Sequence, residues 1–248
     1  MRLSWVFAAF GSSCFVSNVF AYDSSDSLMD GGTCDSRNGT LEEPANLLAD
    51  SSQSGYLPNH NMDPAVISGG SFGQIWKYTT PTGASEQFYA KPLVFTPAST
   101  GRQVVLSFSE QNRIYSLDAV NGTLYATRDL GLEGEPPFLV SDLGSCNDIS
   151  GTVGITGTPV IDPDTETIYF WAKSYLGSAI GYQNGAYRFH AIDAVTLQEK
   201  PGFPVNIQGA PADNDNTRCF TGGTVLQRPS LNIVNGVVFA GFGGHCDQ

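Results

Sequence analysis

Five cysteines, three histidines and one run of alternating carboxylates and amides are the residues of this 248-residue chain best suited to chemistry. Asp213-Asn214-Asp215-Asn216 alternates hard oxygen ligands in the manner Ca2+ favours, so Asp213 and Asp215 are the metal candidates. Arg218 stands where a calcium loop needs its glycine, and an acidic turn uses the same residue types. His60, His190 and His245 share no ligand spacing, and His190, inside a predicted strand, reads as a hydrogen-bonded structural histidine. His245-Cys246-Asp247 sets three reactive types side by side, although adjacency in sequence does not make a triad. Gly69-Gly70-Ser71-Phe72-Gly73 spells a hydrolase elbow, but that device needs a strand before the serine and a helix after it. Here a polar loop precedes and a strand, Gly73 to Tyr78, is predicted to follow, so no catalytic residue is assigned.

The cysteines are better read through the compartment. Arg2, an apolar stretch from Leu3 to Phe20 and the small residue Ala21 form the anatomy of a secretory leader, with cleavage expected after Ala21. Ser4, Ser12, Ser13, Ser17 and Asn18 dilute the stretch too much for a spanning helix. Cleavage removes Cys14 and leaves Cys34, Cys146, Cys219 and Cys246, an even set without a C-x-x-C pair, which favours disulfides over metal. The pairing is open from sequence, with Cys146 to Cys219 preferred because both lie in polar loops flanking one repeat unit. Asn38-Gly39-Thr40 and Asn121-Gly122-Thr123 fit the N-glycosylation sequon, making Asn38 and Asn121 the acceptor candidates. A net charge of −12 argues against nucleic acid and anionic membranes as partners.

The elements that must position these residues repeat. Tyr89-Ala90-Lys91-Pro92-Leu93-Val94-Phe95, Thr156-Gly157-Thr158-Pro159-Val160-Ile161-Asp162 and Leu226-Gln227-Arg228-Pro229-Ser230-Leu231-Asn232 each head a short apolar run with proline. The prolines lie 67 and 70 residues apart, longer than a bare propeller blade of about 40 to 50 residues. The excess falls in loops, at residues 132–151, 174–186 and 208–223. Strands are expected near 90–95, 103–109, 113–118 and 123–129, and again near 158–162, 167–173, 187–193 and 203–207. Asp118 and Asp193 follow the third strand of each unit, where a carboxylate accepts backbone N–H groups of the next turn. With 28 glycines, 14 prolines and 15% charged residues, the chain reads as all-β: a partial β-propeller of about three four-stranded antiparallel blades with long loops. The expected organisation is a leader at 1–21, an irregular arm at 22–70 with a helical turn at 44–49, and the partial propeller at 71–248.

The phrases Ile114-Tyr115-Ser116-Leu117-Asp118-Ala119 and Phe189-His190-Ala191-Ile192-Asp193-Ala194, with the longer signature Gly154 to Pro163, resemble the pyrroloquinoline-quinone type of propeller repeat. Secreted fungal members of the quinoprotein alcohol dehydrogenase-like superfamily look most similar, over roughly residues 72–247. The resemblance implies seven or eight blades in a closed ring, against about three here, and leads to the expectation of a truncated product or of self-assembly. It also implies, for active members, a quinone cofactor with Ca2+, a vicinal cysteine disulfide and a tryptophan beneath the quinone. This chain has no Cys-Cys pair, and only Trp76 is placed like a blade-closing tryptophan. No cofactor is therefore expected, with quinone and calcium kept for a dehydrogenase acting on alcohols or sugars. The favoured reading is a secreted binding or scaffold module for an extracellular carbohydrate or protein. Trp171, Tyr175, Tyr182 and Tyr187 are the residues whose rings would stack on such a ligand, the alternative being that they fill the space between blades.

Overall fold

The computed structural model describes residues 3–10, 15–23, 54–55, 64–69 and 73–247. Cys34, Asn38 and the helical turn expected at 44–49 lie outside the described residues. The chain forms short antiparallel strands: β1 (Leu3–Phe10), β2 (Phe15–Asp23), β3 (Leu93–Phe95), β4 (Val104–Phe108), β5 (Arg113–Asp118), β6 (Leu124–Asp129), β7 (Phe138–Leu139) and β8 (Thr152–Val153). There follow β9 (Val160–Asp162), β10 (Thr167–Tyr175), β11 (Gly185–Asp193), β12 (Val205–Asn206), β13 (Pro211–Ala212), β14 (Asp215–Cys219), β15 (Val225–Leu226), β16 (Asn232–Val234) and β17 (Val237–Gly244). The one described α-helix, α1, is the five-residue Pro64–Ser68.

Two four-stranded meanders, β3-β4-β5-β6 and β9-β10-β11-β12, are the first and middle blades. Their inner strands are rich in Val, Ile and aromatic residues, which suit a pleated surface buried on both sides. In the third sheet β16 and β15 pair with the two ends of β17, while β2 pairs along Val237–Phe242 with β1 outside it. In the intact chain the residues read as a leader thus supply β1 and most of β2.

Side-chain alternation decides how the sheets stack. Ile168, Phe170, Ala172 and Ile192 of the middle sheet join Leu93, Leu106, Phe108 and Ile114 of the first in one core. Tyr169, Trp171, Tyr187 and Phe189, pointing the other way, join Val238, Ala240 and Phe242 of the third in another. All nine residues of β10 are buried for this reason: each face of the strand meets a different sheet. The three proline-headed signatures abut at Thr158, whose hydroxyl accepts the Lys91 N–H at 2.9 Å and whose carbonyl accepts the Leu231 N–H at 2.9 Å. Successive sheets packed face to face, with their leading strands tied together, make a partial β-propeller arrangement, as the repeat predicts.

The signature around 154–158 is specific because it interlocks. A Cβ on Gly154 would come within 2.5 Å of the Glu110 carbonyl oxygen, so only glycine lets these two segments meet. Gly73 to Tyr78, expected as a strand, is instead irregular chain that pairs with no strand among the described residues. Trp76 holds it: the indole N–H donates to the Ala119 carbonyl at 3.0 Å, and the ring lies on Gly122, where a Cβ would approach to 2.6 Å. Asp118 and Asp193 take the turn role expected of them. Asp118 Oδ1 accepts from Val120 and Asn121 N–H groups at 2.7 and 2.9 Å, and Asp193 Oδ1 from Val195 and Thr196 at 3.1 and 2.9 Å. Asn121 is exposed on the β5–β6 turn and accepts the Thr123 N–H at 2.9 Å.

Candidate functional site

Period two along β10 and β11 delivers ionisable side chains to opposite faces of the middle sheet. Toward the first sheet, His190 of β11 lies fully buried and parallel to the Phe170 ring, 4.7 Å between centroids. Its Nε2 faces Glu135 and its Nδ1 faces Glu199, each at 3.2 Å. Arg128 closes the network with contacts of 2.8 Å to both Glu199 and Glu133. Burial opposes charge on His190, but the hydrogen bonds and charges of the two glutamates outweigh it and raise its pKa above the ordinary value.

Toward the third sheet, Lys173 of β10 is equally buried, yet no carboxylate among the described residues touches it. Its amine reaches the carbonyls of Val225 at 2.9 Å and Gly223 at 3.4 Å, and His245 Nε2 at 2.8 Å. It also sits 4.3 Å from the centre of the Phe138 ring. Burial pushes its pKa down to about 7, against the distant pull of Asp148. Burial, then the charge of Lys173, pushes His245 down to about 4. His245 Nδ1 is 3.5 Å from Asp148 Oδ2, too long for a good hydrogen bond, and has no hydrogen-bond partner among the described residues.

The long loop 132–151 brings Asp148 here. It folds as the β7–β8 hairpin, whose Phe138, Val140, Ile149 and Val153 bury against Tyr175 and Leu226. A disulfide between Cys146 and Cys246 ties the loop to the turn after β17, with Cα atoms 5.8 Å apart. This corrects the preferred pairing of Cys146 with Cys219. Cys219 ends β14 of the separate β13–β14 hairpin, where it keeps an exposed free thiol, and only residues brought to about 4.4–6.8 Å between Cα atoms can be bridged. Cys146 Sγ, Asp148 and His245 offer ligand atoms all within 4.8 Å of one another, the group of this kind found among the described residues.

Asp213 and Asp215 are not part of it. Asp215 Oδ1 accepts the Thr217 N–H at 3.1 Å and its hydroxyl at 2.6 Å, so it fixes the hairpin turn as an ordinary capping carboxylate. Trp171, Tyr175 and Tyr187 lie between elements and turn no face outward, whereas Tyr182 is exposed. The Tyr175 hydroxyl donates to Asp142 at 2.6 Å and accepts the Leu139 N–H at 2.8 Å, which anchors the loop. Tyr187 accepts the Gln227 N–H at 3.0 Å and meets Phe242 edge-on. These rings were attractive as stacking surfaces because they border a long loop, but β10 runs on to Tyr175 and β11 begins at Gly185, which draws all but Tyr182 into the sheet.

Sequence reasoning missed Lys173, Asp148 and Glu110. Glu110 is fully buried, accepts the Gly154 N–H at 2.7 Å and the Thr156 hydroxyl at 3.0 Å, and is pushed up to about 7 by burial. The uninterrupted apolar run around Lys173 was the available signal for that residue: a lysine inside Ile168 to Tyr175 has no solvent side to take.

Fold and site define an all-β chain of stacked antiparallel sheets, a partial propeller closed at one corner by a disulfide. No protein-family model and no curated protein matches the chain. The structure of BamB from Moraxella catarrhalis aligns with 16% identity and a TM-score of 0.23, covering 68% of this chain and 61% of that one. The chain thus spans less than two thirds of that protein.

Proposed function

We propose that the chain is an exported, glycosylated propeller module that binds an extracellular carbohydrate or protein without catalysing a reaction. One observation carries the reading: the fully buried ionisable side chains lie between sheets, while the described aromatics left open, Phe88, Tyr89, Tyr125, Tyr182 and Phe239, sit on loops and on strands β6 and β17. Open rings on a rigid scaffold are the parts of such a fold that stack on sugars or grip peptides. Cleavage after Ala21 would remove β1 and most of β2 and free the Val237–Phe242 edge of β17 to pair with another strand, the route by which the chain would self-assemble.

The quinone and calcium alternative draws little from the residues present. The Cys146–Cys246 disulfide joins residues 100 apart, not neighbours, and Trp76 is committed to Gly122. The test is native mass spectrometry of the secreted protein with a carbohydrate and peptide panel, beside incubation with pyrroloquinoline quinone and Ca2+. Ligand retention that drops in Tyr125→Ala or Tyr182→Ala supports the binding reading. Stoichiometric quinone uptake, lost on chelation and accompanied by alcohol or sugar oxidation, overturns it.

A further inference from the structure

The corner that joins the 132–151 loop to the end of β17 holds more ligand atoms than a disulfide uses. Asp148 Oδ1 lies 3.3 Å from Cys146 Sγ, a sulfur that in a disulfide has no hydrogen to donate. Asp148 Oδ2 accepts the Cys246 N–H at 3.2 Å, which holds the carboxylate over the bridge. His245 Nδ1 is buried, unpartnered among the described residues and 3.5 Å from that oxygen. Lys173 occupies the other ring nitrogen at 2.8 Å and leaves Nδ1 turned to the Asp148 carboxylate. Cys146 Sγ, an Asp148 carboxylate oxygen and a His245 ring nitrogen lie within 4.8 Å of one another, and the bonded Cys246 sulfur would complete the donor set of a tetrahedral zinc site.

We propose that Cys146, Cys246, His245 and Asp148 form an alternative, metal-closed state of this corner, in which the reduced cysteines hold one zinc-class divalent cation. The two closures exclude each other because the same sulfurs make both. A dithiol reductant gives two electrons and two protons to the Cys146–Cys246 bond; the S–S bond breaks, two thiols form, and the reductant becomes a disulfide. The cation then displaces both thiol protons, forming two metal–sulfur bonds, and takes the Nδ1 lone pair and a carboxylate oxygen. With Nδ1 ligated the ring proton sits on Nε2, where Lys173 accepts it as the amine, so the proton of a charged Lys173 also leaves. Cys246 and Asp148 are exposed, which gives reductant and cation a way in, while Cys146 and His245 are buried and give the site its fixed side.

The experiment uses the full chain, reduced anaerobically with a phosphine and titrated with Co2+, then Zn2+. The expected result is one Co2+ per chain with intense thiolate-to-cobalt charge-transfer absorption, displaced by one equivalent of Zn2+, and no such band in the oxidised chain. Cys219→Ser keeps the band, Cys146→Ser loses it, and Asp148→Asn weakens binding by about tenfold or more. If reduction alone collapses the near-ultraviolet dichroism, Zn2+ restores it. A reduced chain that shows no charge-transfer band, a band that survives Cys146→Ser, or a collapsed chain that Zn2+ fails to refold each overturns the proposal.

Discussion

The two faces of the middle sheet each bury a basic residue, and they treat it in opposite ways. His190 meets two glutamates, Glu199 held by Arg128 and Glu135 facing Arg188, so its charge is favoured by the fold. Lys173 meets carbonyls, an aromatic ring and a second base, so its charge is disfavoured. Both residues are equally dry; what differs is whether a carboxylate can reach them. Loops decide that. Glu135 follows the first sheet at the start of the long loop, and Glu199 lies in the β11–β12 connection, so both serve the His190 face. On the Lys173 face the nearby acid is Asp148, beyond the ring of His245. The first arrangement cements two sheets, whereas the second leaves polar atoms uncommitted, as sites with a ligand or redox role do.

The largest effect that would break this contrast is truncation of the paired side. His190→Ala should cost roughly 3–5 kcal/mol, because it strands Glu135 and Glu199 near each other without their shared donor. Urea unfolding midpoints measure this, and a loss under 1 kcal/mol would mean the network is decorative. Replacing both Cys146 and Cys246 by serine should cost roughly 2–5 kcal/mol, since the bond closes a long loop in the unfolded chain. Lys173→Met should cost less, about 1–2 kcal/mol: it leaves Val225 and His245 without a donor but removes a charge that burial opposes. A cost equal to that of His190→Ala would erase the distinction between the faces.

The pH dependence sharpens the comparison with opposite signs. The folded pKa of His190 lies above its unfolded value of 6.5, so its contribution is complete below that value and fades as pH rises through the raised one. Lys173 falls from 10.5 to about 7, so between those values the unfolded chain binds more protons and stability rises with pH. His245 falls from 6.5 to about 4, so its contribution to stability is likewise lost as pH falls between those values. Chemical unfolding from pH 7 to 10 should show Lys173→Met losing the positive component. An unchanged slope in that variant would show that the amine stays charged in the fold.

Much of the frame was legible in the residues. The strand Arg113–Asp118 coincides with its expected bounds, and the four strands expected between residues 158 and 207 fall within two residues of theirs. Turn carboxylates Asp118 and Asp193 were legible because an Asx turn is a local device. Trp171, Tyr175 and Tyr187 take the space-filling role that the sequence also offered and Tyr182 stays exposed; the residues alone left both open because solvent-facing and inter-sheet rings have the same sequence signature when both faces of a strand are covered. Cys146 and Cys246 were not legible as a pair, since nothing near either residue encodes where a loop of this length lands.

What the sequence determined by itself is therefore what local geometry dictates: short strands, proline-headed leading strands and carboxylate-fixed turns. Tertiary structure alone decided which face of β10 and β11 meets which sheet, that His190 would find two carboxylates and Lys173, among the described residues, carbonyls and a second base, and that Asp148 and His245 would converge on one disulfide. The physical reason is that strand periodicity assigns a side chain to a face, but only the stacking of distant segments determines what charge, ring or sulfur waits on the other side.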